Sequence, residues 1–552
     1  MHDAPEANGS LYISARSAMA ILSRPVTESA SLVVDQLLHN KSLSVSLLIA
    51  LTVFCTVRYI RSPWRKLPPG PKGLPLIGNA LQLGSKQWLS FTEWKKTYGD
   101  VVYLSALGQP IVVLNSQKAA ADLLDRRASI YSDRPRNIVA GDILTGGLFI
   151  VFTQHNDVWR RMRKAAHEVL HKGLVRTYHH TQAAEALLLT HGTLSEPQRW
   201  EKHLRRTAAS MIMSVIYDSP TIESELDVNV TWINDMVARL TRAAYPGAHF
   251  VEFIPAMMYI PSRFAKWKRE AEEWYARDCD KFESLFEGVR ARLAKGDERP
   301  SLSATLIKEQ ERHNLSIREN AWLAATMYAA GAETTAGVMA WWMLAMIAYP
   351  EVQKRAQAEL DAVVGHDRLP TFADFEHLPY IRAMVKEALR WRPIDPVGLP
   401  HRLMEDDWYE GHFIPKGTIV IANVWHLNRD PEIYGEDAAH FNPARHLDKE
   451  GNVAPGPPDT KEESHVTYGF GRRLCVGRHV ANNSLFIDIA IMLWAMNIER
   501  EVDENGKPTP LDVDGCIEDG LVVRPMPFNC KITPRFPDAM SILEHEKELL
   551  GH

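Results

Sequence analysis

The chain has 552 residues, 45% of them hydrophobic and 24% charged, with a net charge of −5, enough to bury one large core or to divide into two or three domains. The weak negative balance and the absence of a long basic run give no basis for a nucleic-acid partner. The five cysteines, at 55, 279, 475, 516 and 530, lack paired spacing, which indicates neither a disulfide framework nor a zinc site and places the main body in a reducing compartment.

Residues 1–41 are polar and mixed and predict a poorly ordered extension. Within them Asn8-Gly9-Ser10 has the pattern of a glycan acceptor. Ser42 to Val57 carries no charge and is followed by Arg58, Arg61, Arg65 and Lys66. Continued through Ile60, the run gives roughly 27 Å of helix, close to one bilayer crossing. A cleaved signal peptide or a buried core helix are the alternatives. The late position disfavours the first, and the basic cluster favours a single-pass anchor over 42–60. The positive-inside rule then leaves residues 1–41 lumenal and the bulk of the chain cytosolic. Residues 61–80, with Leu67-Pro68-Pro69-Gly70-Pro71, read as a basic, proline-rich linker, and 81–552 as the main domain.

Val101–Leu104 and Ile111–Leu114 predict a hairpin turning at Gly108-Gln109-Pro110. Helical patterns dominate thereafter. Trp159 and Arg163 fall one turn apart on a helix that otherwise looks like a basic surface helix. Tyr245 to Pro261 is apolar and broken by three prolines. Ser316-Ile317-Arg318-Glu319 is a capping-box signature and Pro350 a stop, which predicts a helix of roughly 50 Å. Between Ala321 and Tyr349 its only charge is Glu333. A second membrane span is the alternative, but Glu333-Thr334-Thr335 at mid-helix is costly in lipid and no basic belt flanks it. Gly331 costs this helix about 1 kcal/mol relative to alanine and calls for a compensating purpose. Glu387 and Arg390 form an i, i+3 pair of a kind worth little when exposed.

The chain is organised around Tyr468-Gly469-Phe470-Gly471-Arg472-Arg473-Leu474-Cys475-Val476-Gly477. Its glycines allow tight backbone conformations. A cysteine near positive charge at the start of a helix is stabilised as a thiolate and can ligate a metal. A buried free cysteine in a turn is the plain alternative.

This stretch resembles the heme-binding loop of the cytochromes P-450, Phe-x-x-Gly-x-Arg-x-Cys-x-Gly, with Tyr468 in the phenylalanine position. The resemblance continues in order through Trp159-x-x-x-Arg163, Ala330-Gly331-Ala332-Glu333-Thr334, Glu387-x-x-Arg390, Leu399-Pro400-His401-Arg402 and Phe441-Asn442-Pro443-Ala444-Arg445. It implies a mainly α fold with a small β domain around one heme b, preceded by an N-terminal transmembrane helix. Cys475 would be the axial ligand. Trp159, Arg163, His401 and Arg473 would hold the heme, and Glu333 and Thr334 would serve oxygen activation. Glu387, Arg390 and Arg445 would form a structural triad. The implied activity is monooxygenation of an apolar small molecule with O2 at the endoplasmic reticulum membrane, in fungal secondary metabolism. Electrons would come from an NADPH-cytochrome reductase, with cytochrome b5 as a further partner, docking on Arg161, Lys164, Arg472 and Arg478. Two other classes are a reductase-independent heme-thiolate isomerase or dehydratase, and a non-catalytic heme-binding protein.

Overall fold

The computed structural model describes residues 41–551 apart from 225, 246, 298 and 519–521; Asn8 and the extension around it lie outside them. Two compact units are present. In the first, which runs to Leu67 and includes Glu410–Phe413, helix α1 (Lys41–Arg61) covers the expected anchor, and Leu48 and Phe54 on it are exposed. Lys41, Arg58 and Arg61 bracket its apolar run. Among the described residues no helix is long and apolar enough to cross a membrane.

The second unit comprises Pro68–Tyr409 and Ile414–His552. Its small sheet holds β1 (Val101–Ala106), β2 (Gln109–Leu114), β3 (His401–Arg402) and β4 (Ile419–Ala422), in the order β1-β2-β4-β3. The hairpin forms as expected, but it turns at Leu107 and Gly108, both at positive φ. Gln109 and Pro110 already belong to β2, because a two-residue turn needs left-handed backbone at its centre. The proline-rich stretch packs along β1: Tyr103 N–H donates to Pro69 O at 2.8 Å, and a Cβ on Gly70 or Gly78 would strike the strand backbone. From Pro68 onward it covers a sheet edge instead of hanging as a spacer.

The helices that frame the site are α2 (Asp157–Leu170), α3 (His179–Ser195), α4 (Trp200–Tyr217), α5 (Lys266–Leu293), α6 (Ile317–Ala348), α7 (Pro379–Trp391) and α8 (Arg478–Ala495). The expected capping box starts α6: Ser316 Oγ accepts from Glu319 N–H, and Glu319 returns a carboxylate to Ser316 N–H. This helix runs through the middle of the unit, packed by α4 and α5, with most of its side chains buried. Its uniform apolarity is that of a core helix with protein on every side.

Candidate functional site

The Cys475 loop is held from several directions. Cys475 N–H donates to Tyr468 O at 2.9 Å. Gly471 N–H donates to Asp125, and a Cβ at Gly471, whose φ is +56°, would collide with Leu124 O. Only glycine fits there. Tyr468 donates its hydroxyl to Asn482 Oδ1 at 2.7 Å, and Asn482 donates to Glu463 at 2.9 Å. That hydroxyl is spent on α8. Burial pushes the Cys475 thiol up, opposed by the Gly477 amide and by the charges of Arg163 and Arg478. Such a sulfur becomes a stable thiolate when a metal takes it as a ligand.

Trp159, Arg163, Arg473 and His401 converge. The Asn156 side chain caps α2 by accepting from Trp159 N–H at 2.8 Å. The Arg473 guanidinium lies 4.1 Å over the Trp159 ring and donates to Ser132 O at 2.8 Å and Thr153 O at 2.8 Å. Arg163 donates to Leu474 O, next to the cysteine. On β3, His401 Nδ1–H donates to Tyr131 O at 2.7 Å, which leaves Nε2 as a lone pair. Burial, with Arg134 and Arg473 nearby, brings this imidazole down to about 3, so binding a carboxylate through Nε2 requires that it take up a proton.

Arg134 completes the group and was not singled out in the sequence. It is buried, donates to Leu399 O and Pro400 O at 2.6 and 2.8 Å, and has no partner for Nε. Burial lowers Arg134 to about 10 and Arg473 to about 8; Arg163 depresses both, and Arg134 adds to the fall of Arg473. Nearby acids offset this only in part: Asp395 is itself pushed up to about 6 by burial. Clustered, buried guanidiniums short of counter-charge fit an incoming dicarboxylate. The residues present therefore suit the two propionates of a heme.

Val476 belongs to the same large hydrophobic cluster as Ala329 and Ala332 of α6, and α8, which follows the cysteine loop, packs on α6 near its middle turns, where Glu333 and Thr334 lie. There Ala330, Gly331, Glu333 and Thr334 are only half-buried, although the neighbouring turns are buried. Thr334 Oγ1 donates back to Ala330 O at 2.7 Å, a bond that loosens and bends a helix locally. Gly331 also serves the packing of α6. A Cβ there would lie 2.7 Å from Ile212 Cδ1 of α4, so the glycine lets two helices approach closely.

The triad forms with a fourth member. Glu387 accepts from Arg390 Nε and Nη2 at 2.7 Å each, from Arg445 Nε at 3.1 Å and from His446 Nε2 at 2.8 Å. Burial alone would push the carboxyl up, but Arg390 and His446 reverse this and hold it well below the usual range. Of the four expected docking cations, Lys164 and Arg472 are exposed, whereas Arg161 pairs with Asp157 at 3.0 Å and Arg478 with Glu463 at 3.6 Å.

A thiol loop, a buried cationic pocket and an opened central helix define a heme-thiolate protein. The chain belongs to the cytochrome P450 family, whose sequence profile matches residues 68–530. It is 73% identical over 504 residues to a cytochrome P450 monooxygenase of Armillaria gallica, covering 91% of this chain and 96% of that one. The monooxygenase iboC of Amanita muscaria is 43% identical over 530 residues, at 88% and 94% coverage. A zebrafish cytochrome P450 solved with abiraterone shares the fold with a TM-score of 0.64 and 25% identity, over 82% of this chain and 100% of that one. The protein is an oxidoreductase of the monooxygenase class, and its cofactor is heme with a cysteine thiolate as axial ligand.

Proposed function

We propose that this chain is a reductase-fed monooxygenase that oxidises an apolar small molecule of fungal secondary metabolism, anchored to the endoplasmic reticulum membrane through residues 42–60. The observation that carries the reading is the cysteine loop sharing a core cluster with a helix turn that holds Thr334, back-bonded and half-buried. Heme, when bound, supplies oxygen activation and transfer. Cys475 gives it a soft anionic ligand. Trp159, Arg163, Arg134, Arg473 and a protonated His401 would hold its propionates. Thr334 releases its bond to Ala330 O in order to donate elsewhere, and Glu333, the only charge in this part of α6, moves protons to it. An isomerase has no use for such a pair, and a heme carrier has none for the rest of the pocket.

Membrane attachment is supported beyond the anchor. Tyr245, Phe250, Phe253, Ile254 and Tyr259 are exposed around two short 3-10 turns, Phe250–Glu252 and Pro255–Tyr259. An apolar patch of this kind suits the lipid interface and substrates that arrive from it. Lys164 and Arg472, both exposed, offer part of a cationic face for the reductase, or for cytochrome b5.

The test is product formed per NADPH by the holoenzyme with a fungal reductase, using Cys475→Ser as control. The serine variant is expected to lose the thiolate-type spectrum of the reduced carbon monoxide complex together with all turnover, because an alcohol is a poor soft donor. Product formed without reductase or NADPH would establish the isomerase reading instead.

A further inference from the structure

A second polar site lies between α3, α4, α6 and α8. It is a cavity of about 10 Å3, room for one water molecule, lined among others by Gln182, Glu185, Thr335, Ser484 and Asp488. Glu185 is committed: it pairs with Arg206 at 2.7 Å and accepts from Ser210 Oγ. Gln182 spends both amide hydrogens, on Val480 O at 3.0 Å and Ser484 Oγ at 2.9 Å, and its Oε1 has no partner although the residue is 1% exposed. Asp488, 4% exposed, makes no hydrogen bond to the described residues. Two buried acceptor groups thus border a space for one water, and the missing parts are donors.

We propose that Asp488 serves here as a hydrogen-bond donor and that, through one water, it ties Gln182 of α3 to Thr335 of α6. This makes Asp488 a positioning residue for the turn of α6 that carries Glu333 and Thr334. The charged groups facing it are Glu185 on α3 and Arg206 on α4; α6 offers the neutral Thr335, and Ser484 is its neighbour on α8. Burial raises the Asp488 carboxyl, the Glu185 charge adds to the rise, and Arg206 opposes it. A carboxyl that keeps its proton can donate, and the bridge then satisfies both acceptors without leaving a charge in the core.

The experiment has two arms on the holoenzyme. The first measures thermal melting of wild type and Asp488→Asn against pH. A carboxyl raised in the fold releases its proton on unfolding, so wild-type stability falls as pH climbs above about 4, the ordinary aspartate range. Asparagine donates without titrating, so the Asp488→Asn melting point is expected to pull ahead of wild type as pH rises. A gap that stays flat, or a wild-type melting point raised by sodium chloride and not by choline chloride, overturns the proposal; the latter means that an ion fills the cavity. The second arm rests on the monooxygenase reading and measures product per NADPH. Thr335→Val and Asp488→Ala are expected to lose roughly two- to tenfold, with Asp488→Asn close to wild type. Full yield from Thr335→Val refutes the link to α6. Because the melting arm needs no turnover, failure of the functional reading leaves it intact.

Discussion

Replacing Glu387 by alanine leaves Arg390, whose side chain has no exposed surface, without its counter-ion. Arg445 is less affected, because it keeps Asp437 at 3.0 Å. The main cost therefore falls on Arg390, which loses two charge-assisted bonds of 2.7 Å and retains only the carbonyls of Asn428, Ala438 and His440. Stranding a buried charge in this way costs about 3–5 kcal/mol, against a typical total stability of ~5–15 kcal/mol. At about 1.4 kcal/mol per tenfold, the ratio of folded to unfolded protein falls by a factor on the order of 10² to 10⁴. The assay is heme content and the reduced carbon monoxide spectrum of protein purified from equal cultures, with thermal melting alongside. Glu387→Ala is expected to yield little holoprotein. Glu387→Gln tests charge apart from shape. Because the Glu387 carboxyl is held below its ordinary range, its stabilisation is complete above that range and fades as pH falls through it; the glutamine variant is expected to lack that acid-side loss. Normal heme content and an unchanged melting point in Glu387→Ala would refute the reasoning.

Gly331→Ala places a Cβ 2.7 Å from Ile212 Cγ1 and Cδ1; an overpacking cost of about 1–3 kcal/mol outweighs the roughly 1 kcal/mol that alanine adds to the helix. Adding Ile212→Ala is expected to recover part of the loss, and a double-mutant cycle of melting curves measures how much. Thr334→Ala is expected to keep the carbon monoxide spectrum while product per NADPH falls and hydrogen peroxide rises, by about 10²–10⁴ in the step served. Deleting residues 1–60 is expected to release the protein from membranes only partly, and Phe250→Asp with Tyr259→Asp in the truncated chain to release the rest, as read by fractionation.

What the sequence displayed best was local. The capping box at Ser316 and Glu319 and the hairpin strands lie within a few residues of the groups they bond. The direction in which a helical glycine opens is not local, and that Gly331 faces Ile212 of α4 shows only in the fold. Arg134 stayed hidden because its importance comes from Leu399 and Pro400, some 265 residues away. The same holds for His446, which completes the triad although the expected motif stops at Arg445. Asp488 sits in an apolar helix and gains meaning only when α3, α4 and α6 close around it.

The guanidiniums of Arg134, Arg163 and Arg473 also bear on how the protein is made. Before the cofactor arrives, the newly synthesised chain must hold these cations in its interior against their mutual repulsion, and the apoprotein carries that penalty until two carboxylates neutralise it. Heme then acts as the last folding ligand, stabilising the native state by mass action. Cells that translate this chain faster than they supply porphyrin should accumulate a form that opens easily and is degraded. Yield in a production host should follow heme precursor feeding more closely than promoter strength.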